Sequence, residues 1–593
     1  MAGRRPWLVA GAGLVLLWAL LFLPTVGKLP LIRSEAMYAQ IPLEMLASGD
    51  WLTPRLNGAR YLDKPPLYYW VNLVALLVGG PSDNAVRLAT FLIGLGEAAA
   101  AFVLGKLLFS WRSGWLAAVV LLTSIGFFAL HLQMLADHLI TLSLSWAMVF
   151  VWLWWRQGRG WQVAGFFACL WVGLMSKGLI GLLFPLGIAG SFALLTWEPR
   201  WRCFFLNPWA WLILLAAALP WFWLMEVRHP GFLAFQVWNE QISRFFGQRY
   251  PPDIKPLSLF TFWLFVLVWL MPWTPFLPAA VASLWPQRRW PLAPADAPGV
   301  MLLVWAGVTL TFFSLSSSRI EYYSLPTLPA LALMVGRRFD LYLAQPQSRA
   351  MLVSMGLVAV FLLGLLLLVP FLERTCVDNR REFNGMFGQL QPLIFQAAPL
   401  LALLTAGLGL SCWRRRPSWC LACLGAVSLT ILYYTFISLW LLSPHLSDAW
   451  AGKIIREEAQ PEDLLIMGNI EEFEYGMSLR YYAQRPVLMV QRDGLPGFGF
   501  PLRPEENYLI SPDQLRQLWQ GPRRVFVLMD NCAPERGLDR ALTLEEQGGK
   551  RLVVNRPLVA GGPAPTATGP RVSGQDDNPR GPEGQASHDT VTR

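Results

Sequence analysis

The sequence predicts a polytopic α-helical membrane protein, with about 13 transmembrane helices and a small C-terminal extracytoplasmic α/β domain. Three observations carry that prediction. The 593 residues are 55% hydrophobic and only 15% charged, against about 25% charged in soluble chains. Arginines recur in every second loop between the apolar runs. After Leu442 the pattern changes to short apolar strands separated by turns.

The first apolar run, Trp7 to Gly27 behind Arg4 and Arg5, is long enough for a bilayer, which takes ~20 apolar residues. With a polytopic chain behind it, it reads as a retained signal anchor. Further runs lie near 86–109, 114–131, 138–155, 161–176, 178–196, 208–226, 257–283, 299–317, 322–336, 351–371, 392–412 and 418–442. Arg112, Arg156 and Arg159, Arg200 and Arg202, Arg288 and Arg289, Arg337 and Arg338, and Arg414 to Arg416 occupy the even-numbered loops. The positive-inside rule makes those loops cytoplasmic. The N-terminus is then cytoplasmic as well, and an odd number of spans leaves the C-terminal domain on the outer, periplasmic side. The net charge of +10 is accounted for by helix ends, so no nucleic-acid partner is expected.

The membrane domain is placed at 1–445, with a first outer loop at 28–85. An α/β domain follows at 446–560, where DLLIMG (463–468), PVLMV (486–490), RRVFVLMD (523–530) and KRLVVN (550–555) read as strands. SPDQLRQLWQG reads as a helix with Ser511 as N-cap and Pro512 in its first turn. The tail 561–593 is rich in Gly, Pro, Ser, Thr and Asp, and has too little to bury to fold. Cys420 and Cys423 form a CxxC inside an apolar run without a second pair, which suits helix packing better than metal. Cys376 and Cys532 would share the outer compartment, where pairing is permitted.

The first outer loop is the longest polar interruption of the membrane region. Residues 31–70, LIRSEAMYAQIPLEMLASGDWLTPRLNGARYLDKPPLYYW, mix both charge signs with aromatics, where a plain connector needs only a handful of residues. Ser34 can cap a helix through Glu35, Tyr38 and Gln40, which Pro42 bends or interrupts. Asn57-Gly58 signals a turn, and Lys64-Pro65-Pro66 opens a segment of fixed backbone. Arg33, Arg55, Arg60, Lys64, Lys177, Arg244 and Arg319 all fall on the outer side, against the orientation rule, and together suggest a cationic vestibule. Asp137 in HLQMLADHLITLSLSW needs a cavity or a cation beside it. Lys177 in MSKGLIGLLFP suits an anionic lipid headgroup. Glu240 and Arg244 share a helix face at i, i+4, and Arg319 precedes Tyr322 and Tyr323.

These stretches resemble a known family. LASGDWLTPRLNGARYLDKPPLYYW is similar to the first outer loop of lipid-linked, C-type glycosyltransferases: the protein O-mannosyltransferase superfamily and its bacterial aminoarabinose (lipid A) branch. The resemblance extends through Asp137, SKGLIGLLFP, NEQISRFFG and SSSRIEYYSLPTLPALALMVG. It implies transfer of a sugar from a polyprenyl-phosphate donor to a lipid A-like lipid or a protein or glycan acceptor, with inversion, on the outer side of the bacterial inner membrane. The family's first loop begins with Asp-Glu, whereas this chain has Ser34-Glu35-Ala36-Met37-Tyr38-Ala39-Gln40. Serine cannot act as a general base at neutral pH. The resemblance therefore leaves Glu35 or Asp137 as the catalytic carboxylate.

Such a donor already carries phosphate as its leaving group, and cations in a dry site best neutralise the charge that builds there. Lys64, Arg55, Lys177, Arg244 and Arg319 are the candidates to bind it, and Tyr38, Tyr61, Glu240 and Tyr322 are candidates to line the substrate cavity. A hydroxyl acceptor needs a carboxylate base; a phosphate acceptor is already ionised. No nucleotide-binding glycine loop or metal-ligand cluster is apparent, so no cofactor is expected beside the lipid-linked sugar donor, and the sequence leaves a divalent-metal requirement open. The competing class is a transporter or flippase of lipid-linked sugars, which has no need of carboxylates anchored by Lys64-Pro65-Pro66 on one side only.

Overall fold

Every one of the thirteen apolar stretches folds as helix in the computed structural model. It describes residues 5–252, 256–286, 292–346, 348–375, 381–468, 476–491, 500–501, 503–530 and 538–557. The expected tail at 561–593, and the pairing of Cys376 with Cys532, lie outside the described residues.

In chain order the helices are α1 (Arg5–Phe22), α2 (Arg33–Ser48), α3 (Leu67–Gly79), α4 (Asp83–Leu108), α5 (Trp111–Leu122), α6 (Ile125–His131), α7 (Asp137–Gln157), α8 (Gly160–Lys177), α9 (Ile180–Thr196), α10 (Trp201–Phe205) and α11 (Pro208–Arg228). They continue with α12 (Phe232–Ala234), α13 (Leu259–Trp269), α14 (Leu277–Leu284), α15 (Ala297–Leu315), α16 (Leu328–Ala344), α17 (Arg349–Thr375), α18 (Arg381–Trp413) and α19 (Pro417–Leu446). Among the described residues, by length and composition, seven helices can cross a membrane singly, and up to ten spans result if each of three bent pairs counts as one. The sequence count of thirteen is higher for two reasons. It separates the 322–336 and 351–371 stretches, which form one of the bent pairs. It also includes α9, only 17 residues long, and α8, which carries Gln162 and Lys177. The break between α5 and α6 is bent by 59°. There the Thr123 and Ser124 hydroxyls donate back to the Val119 and Leu121 carbonyls, which competes with continuing the helix.

Lipid tails are as apolar as leucine, so helices in a bilayer associate through close backbone approach at small residues. α4 meets α5 at Gly105 and Gly114, where a Cβ on Gly114 would stand 2.3 Å from the Phe102 carbonyl oxygen. α8 meets α9 at Gly173 and Gly181, and α5 meets α16 at Ala117 and Gly336. Leu16 and Leu20 on α1, Ile213 and Trp223 on α11, and Phe260 on α13 stay exposed, as an apolar surface facing hydrocarbon requires.

Outside the bundle, β1 (Arg55–Leu56) and β2 (Ala59–Arg60) form a hairpin. The C-terminal region contributes α20 (Ala449–Glu458), β3 (Leu464–Met467), α21 (Met477–Ala483), β4 (Leu488–Val490), β5 (Leu509–Ile510), α22 (Pro512–Gln520), β6 (Val525–Asp530), β7 (Leu542–Gln547) and β8 (Lys550–Val554). The sheet runs β5-β4-β3-β6-β8-β7, with β5, β4, β3 and β6 parallel and β8 and β7 antiparallel. The four expected strands correspond to β3, β4, β6 and β8. Ser511 caps α22, its hydroxyl accepting from the Gln514 N–H. Leu515, Trp519, Val527 and Val553 fill the core under the sheet.

Candidate active site

The long loop between α1 and α4 folds as one braced unit. Ile32 is the N-cap of α2, and Glu35 reaches back to accept its N–H at 3.0 Å. Pro42 sits inside α2 without ending it. Asn57 and Gly58 both take positive φ, 55° and 85°, the conformation that closes a tight hairpin with the right twist. The Glu44 carboxylate accepts both of their N–H groups, at 2.8 and 2.9 Å. From this hairpin the chain runs through Tyr61, Asp63 and Lys64 to Pro65-Pro66 and α3, which carries Asp63 and Lys64 to the mouth of a cavity.

That cavity, of about 540 Å³, combines a charged wall with a hydrocarbon wall. Lys64 comes from the loop and Lys177 from the C-terminus of α8. Arg244 and Glu240 come from the segment after α12, where Phe235–Ser243 winds as a π-helix. Such π-turns favour functional sites. Leu179, Leu183 and Leu186 of the α8–α9 region, with Phe245 and Phe312, make the apolar wall. Lys177 Nζ donates to Asp137 Oδ1 at 2.6 Å and sits over the Tyr323 ring, 4.6 Å from its centroid, with Tyr322 at 5.9 Å. Lys64 Nζ donates to the Tyr38 hydroxyl at 2.9 Å. Glu240 is paired with Arg244 at 3.2 Å and with Arg249 at 2.8 Å, and Arg249 also holds Asp63 at 2.8 Å. Burial pushes the Glu240 carboxyl above its ordinary range, an effect Arg244 and Arg249 oppose.

The structure thus brings together Lys64, Lys177, Arg244, Glu240, Asp137, Tyr38 and Tyr322. Other expected residues lie elsewhere. Glu35 is buried in an ion pair with Arg87 at 3.0 Å; burial raises its pKa and Arg87 opposes the rise. Arg55 faces Glu506 at 3.6 Å, beside the two-pronged Arg60–Glu506 contact at 2.9 Å. Arg319 points its guanidinium at backbone carbonyls, Leu257 at 2.9 Å and Ser316 at the end of α15. Tyr61 is buried in the loop.

Two neighbours of these groups, Asp63 and Arg249, were not among the candidates in the sequence, and Tyr323 was named there beside Tyr322 without a place in the cavity. Asp63 adjoins Lys64, which was singled out, and Arg249 is a further cation in GQRYPP. A group with metal-ligand chemistry was also missed. Glu97, His131 and His138 place their ligating atoms within 4.8 Å of one another, although spacings of 34 and 7 residues match no familiar motif.

Comparison with known proteins places this architecture. Residues 63–225 match the family described as dolichyl-phosphate-mannose-protein mannosyltransferase. An undecaprenyl phosphate-α-4-amino-4-deoxy-L-arabinose arabinosyl transferase of Pseudomonas paraeruginosa is 31% identical over 404 residues, 63% of this chain and 69% of the relative. The chain belongs to the aminoarabinose transferase branch of the protein O-mannosyltransferase superfamily. A similarly named transferase of Sodalis glossinidius is 30% identical over 421 residues, 68% of this chain and 70% of its own. The crystal structure of ArnT from Cupriavidus metallidurans bound to undecaprenyl phosphate shares the fold, with a TM-score of 0.77 at 23% identity over 95% of this chain and 100% of that one. As a member of this superfamily, the protein is a multi-pass membrane glycosyltransferase of the polyprenyl-phosphate-sugar class.

Proposed function

We propose that the protein transfers an aminoarabinose-type sugar from undecaprenyl phosphate to a phosphate of lipid A, on the outer side of the bacterial inner membrane and with inversion at the anomeric carbon. The observation that carries this reading is the convergence of Lys64, Lys177 and Arg244 on the mouth of a hydrocarbon-walled cavity. A lipid phosphate has this two-part chemistry, an anion joined to an apolar chain. An acceptor phosphate oxygen attacks the anomeric carbon, the bond from that carbon to the donor phosphate oxygen breaks, and the departing polyprenyl phosphate keeps the electron pair. The cations stabilise the charge where it builds, in a site with little competing water.

An ionised acceptor needs no strong base. That suits a cavity in which each neighbouring carboxylate already meets a cation: Asp137 with Lys177, Glu240 with Arg244 and Arg249, Asp63 with Arg249. We assign Asp137 to holding Lys177 in line with the leaving phosphate, and Glu35 to bracing α2 through Arg87. Transfer from a labelled undecaprenyl-phosphate sugar to lipid A in proteoliposomes tests the proposal. Transfer by the wild type, lost in Lys64→Ala, supports it. A wild type that moves the donor across the bilayer without transferring sugar would sink it in favour of a flippase.

A further inference from the structure

Three ionisable side chains that the transfer site does not use meet where α4, α6 and α7 pack. Glu97, His131 and His138 are all fully buried, in a part of the chain where a polar group is costly unless it is satisfied. Their hydrogen bonds fix which ring nitrogens carry protons. His131 Nδ1 lies 2.8 Å from the Phe127 carbonyl oxygen; a carbonyl only accepts, so Nδ1 bears the hydrogen and Nε2 of the neutral ring is a bare lone pair. His138 Nε2 lies 3.1 Å from both the Leu130 and Gln133 carbonyl oxygens, so it bears the hydrogen and Nδ1 is bare. The bare His131 nitrogen faces Glu97 Oε1 at 3.3 Å. His138 Nδ1 and Glu97 Oε2 have no hydrogen-bond partner among the described residues.

Two imidazole lone pairs and a carboxylate therefore converge, with all ligating atoms within 4.8 Å of one another. The imidazole rings stand 4.0 Å apart, too close for both to carry a positive charge in a dry interior. We propose that Glu97, His131 and His138 form a buried binding site for a divalent transition-metal ion of the zinc type, which ties α4 to the junction of α6 and α7. Two imidazoles and a carboxylate are a donor set that zinc takes. The carbonyls of Phe127, Leu130 and Gln133 supply the outer hydrogen bonds that orient metal-bound histidines. Gly94 leaves the space: a Cβ there would stand 2.7 Å from His131 Cδ2. The site adjoins Asp137 in sequence, so the ion fixes the start of the helix that carries Asp137 to Lys177. That effect on transfer rests on the proposed function; the metal content does not.

The test uses full-length protein in detergent, purified through a tag without histidine, equilibrated with trace zinc and assayed by elemental analysis. About one zinc per chain is expected in the wild type, and about tenfold less in a His131→Asn/His138→Asn variant that elutes as the wild type does. Cobalt titration of the wild type alone covers the case of a variant that fails to fold. Visible d–d absorption that saturates at about one equivalent supports the site. A wild type that takes up neither zinc nor cobalt, or a folded double variant that holds as much metal as the wild type, overturns it. The cluster is then a protonated Glu97 hydrogen-bonded to His131.

Discussion

Lys177 ends a helix, meets a carboxylate at 2.6 Å and lies against two tyrosine rings. Each contact restrains an ammonium that would otherwise swing on a flexible stem, which on the proposed function aims the charge before a phosphate arrives. Lys177→Met is expected to lower transfer by about 100- to 1,000-fold, the effect typical of losing one positioned charge-stabilising group, while the purified variant elutes as a monodisperse species. Asp137→Asn keeps the shape but removes the charge that holds Lys177; we expect a smaller loss, in turnover more than in donor affinity, measurable by steady-state kinetics. A second residue carries a pH dependence. Burial, and then the charge of Arg60, Arg503 and Arg55, lowers the His229 pKa from 6.5 to about 4. The ring stays neutral, with Nδ1 3.4 Å from Arg60 Nη1 and Nε2 3.3 Å from the Thr53 hydroxyl. A group with a depressed folded-state pKa leaves the unfolded chain binding more protons. Its contribution to stability is therefore complete above pH 6.5 and declines as the pH falls towards 4. Thermal unfolding followed across that window should show a shallower pH slope in His229→Gln than in the wild type.

At the scale of elements, the helices were legible in the sequence because length and apolarity are local properties. The bends were not: the break after α5 depends on hydroxyls at Thr123 and Ser124 turning back on their own helix. Strand β7, Leu-Thr-Leu-Glu-Glu-Gln, escaped notice because an exposed edge strand needs no apolar face. The site shows the same division. Lys64, Lys177 and Arg244 stood out as cations on the wrong side of the orientation rule, whereas Arg249 is recognisable only once the fold sets it between Asp63 and Glu240. Glu97, His131 and His138 come from three helices, so only their packing makes them a group. Two variants test the elements themselves. Arg87→Met strands the Glu35 carboxylate inside the loop and should cost about 3–5 kcal/mol, read as a fall in the unfolding midpoint. Gly181→Val drives a side chain into the backbone of Gly173; overpacking of this kind costs about 1–3 kcal/mol or more and should separate α8 from α9, with lower yield of folded protein in detergent.

At the scale of the whole molecule, the C-terminal sheet and the long loop between α1 and α4 are sewn together. The Asn57 amide exchanges two hydrogen bonds with the Val487 backbone, at 2.7 and 3.1 Å, and Arg60 grips Glu506. The Tyr482 hydroxyl accepts the Leu31 N–H at 2.7 Å and donates to Asp83. None of these pairings is local, which is why the sequence could outline a sheet region without showing what it does for the loop. Asn57→Ala is expected to leave the helices intact by circular dichroism, to loosen the loop in hydrogen exchange and to reduce transfer. The cavity has a consequence of its own. At about 540 Å³ it has room for a phosphate and the first few isoprene units of a polyprenyl chain, but not for a long chain entire. On the proposed function, the remainder of a polyprenyl tail would stay dissolved in the bilayer throughout a catalytic cycle, so that the protein would capture its donor by lateral diffusion and discard the spent carrier the same way. Donors trimmed to a handful of isoprenes should turn over nearly as well as natural ones, and the polymer's length becomes a matter for the membrane, not for the enzyme.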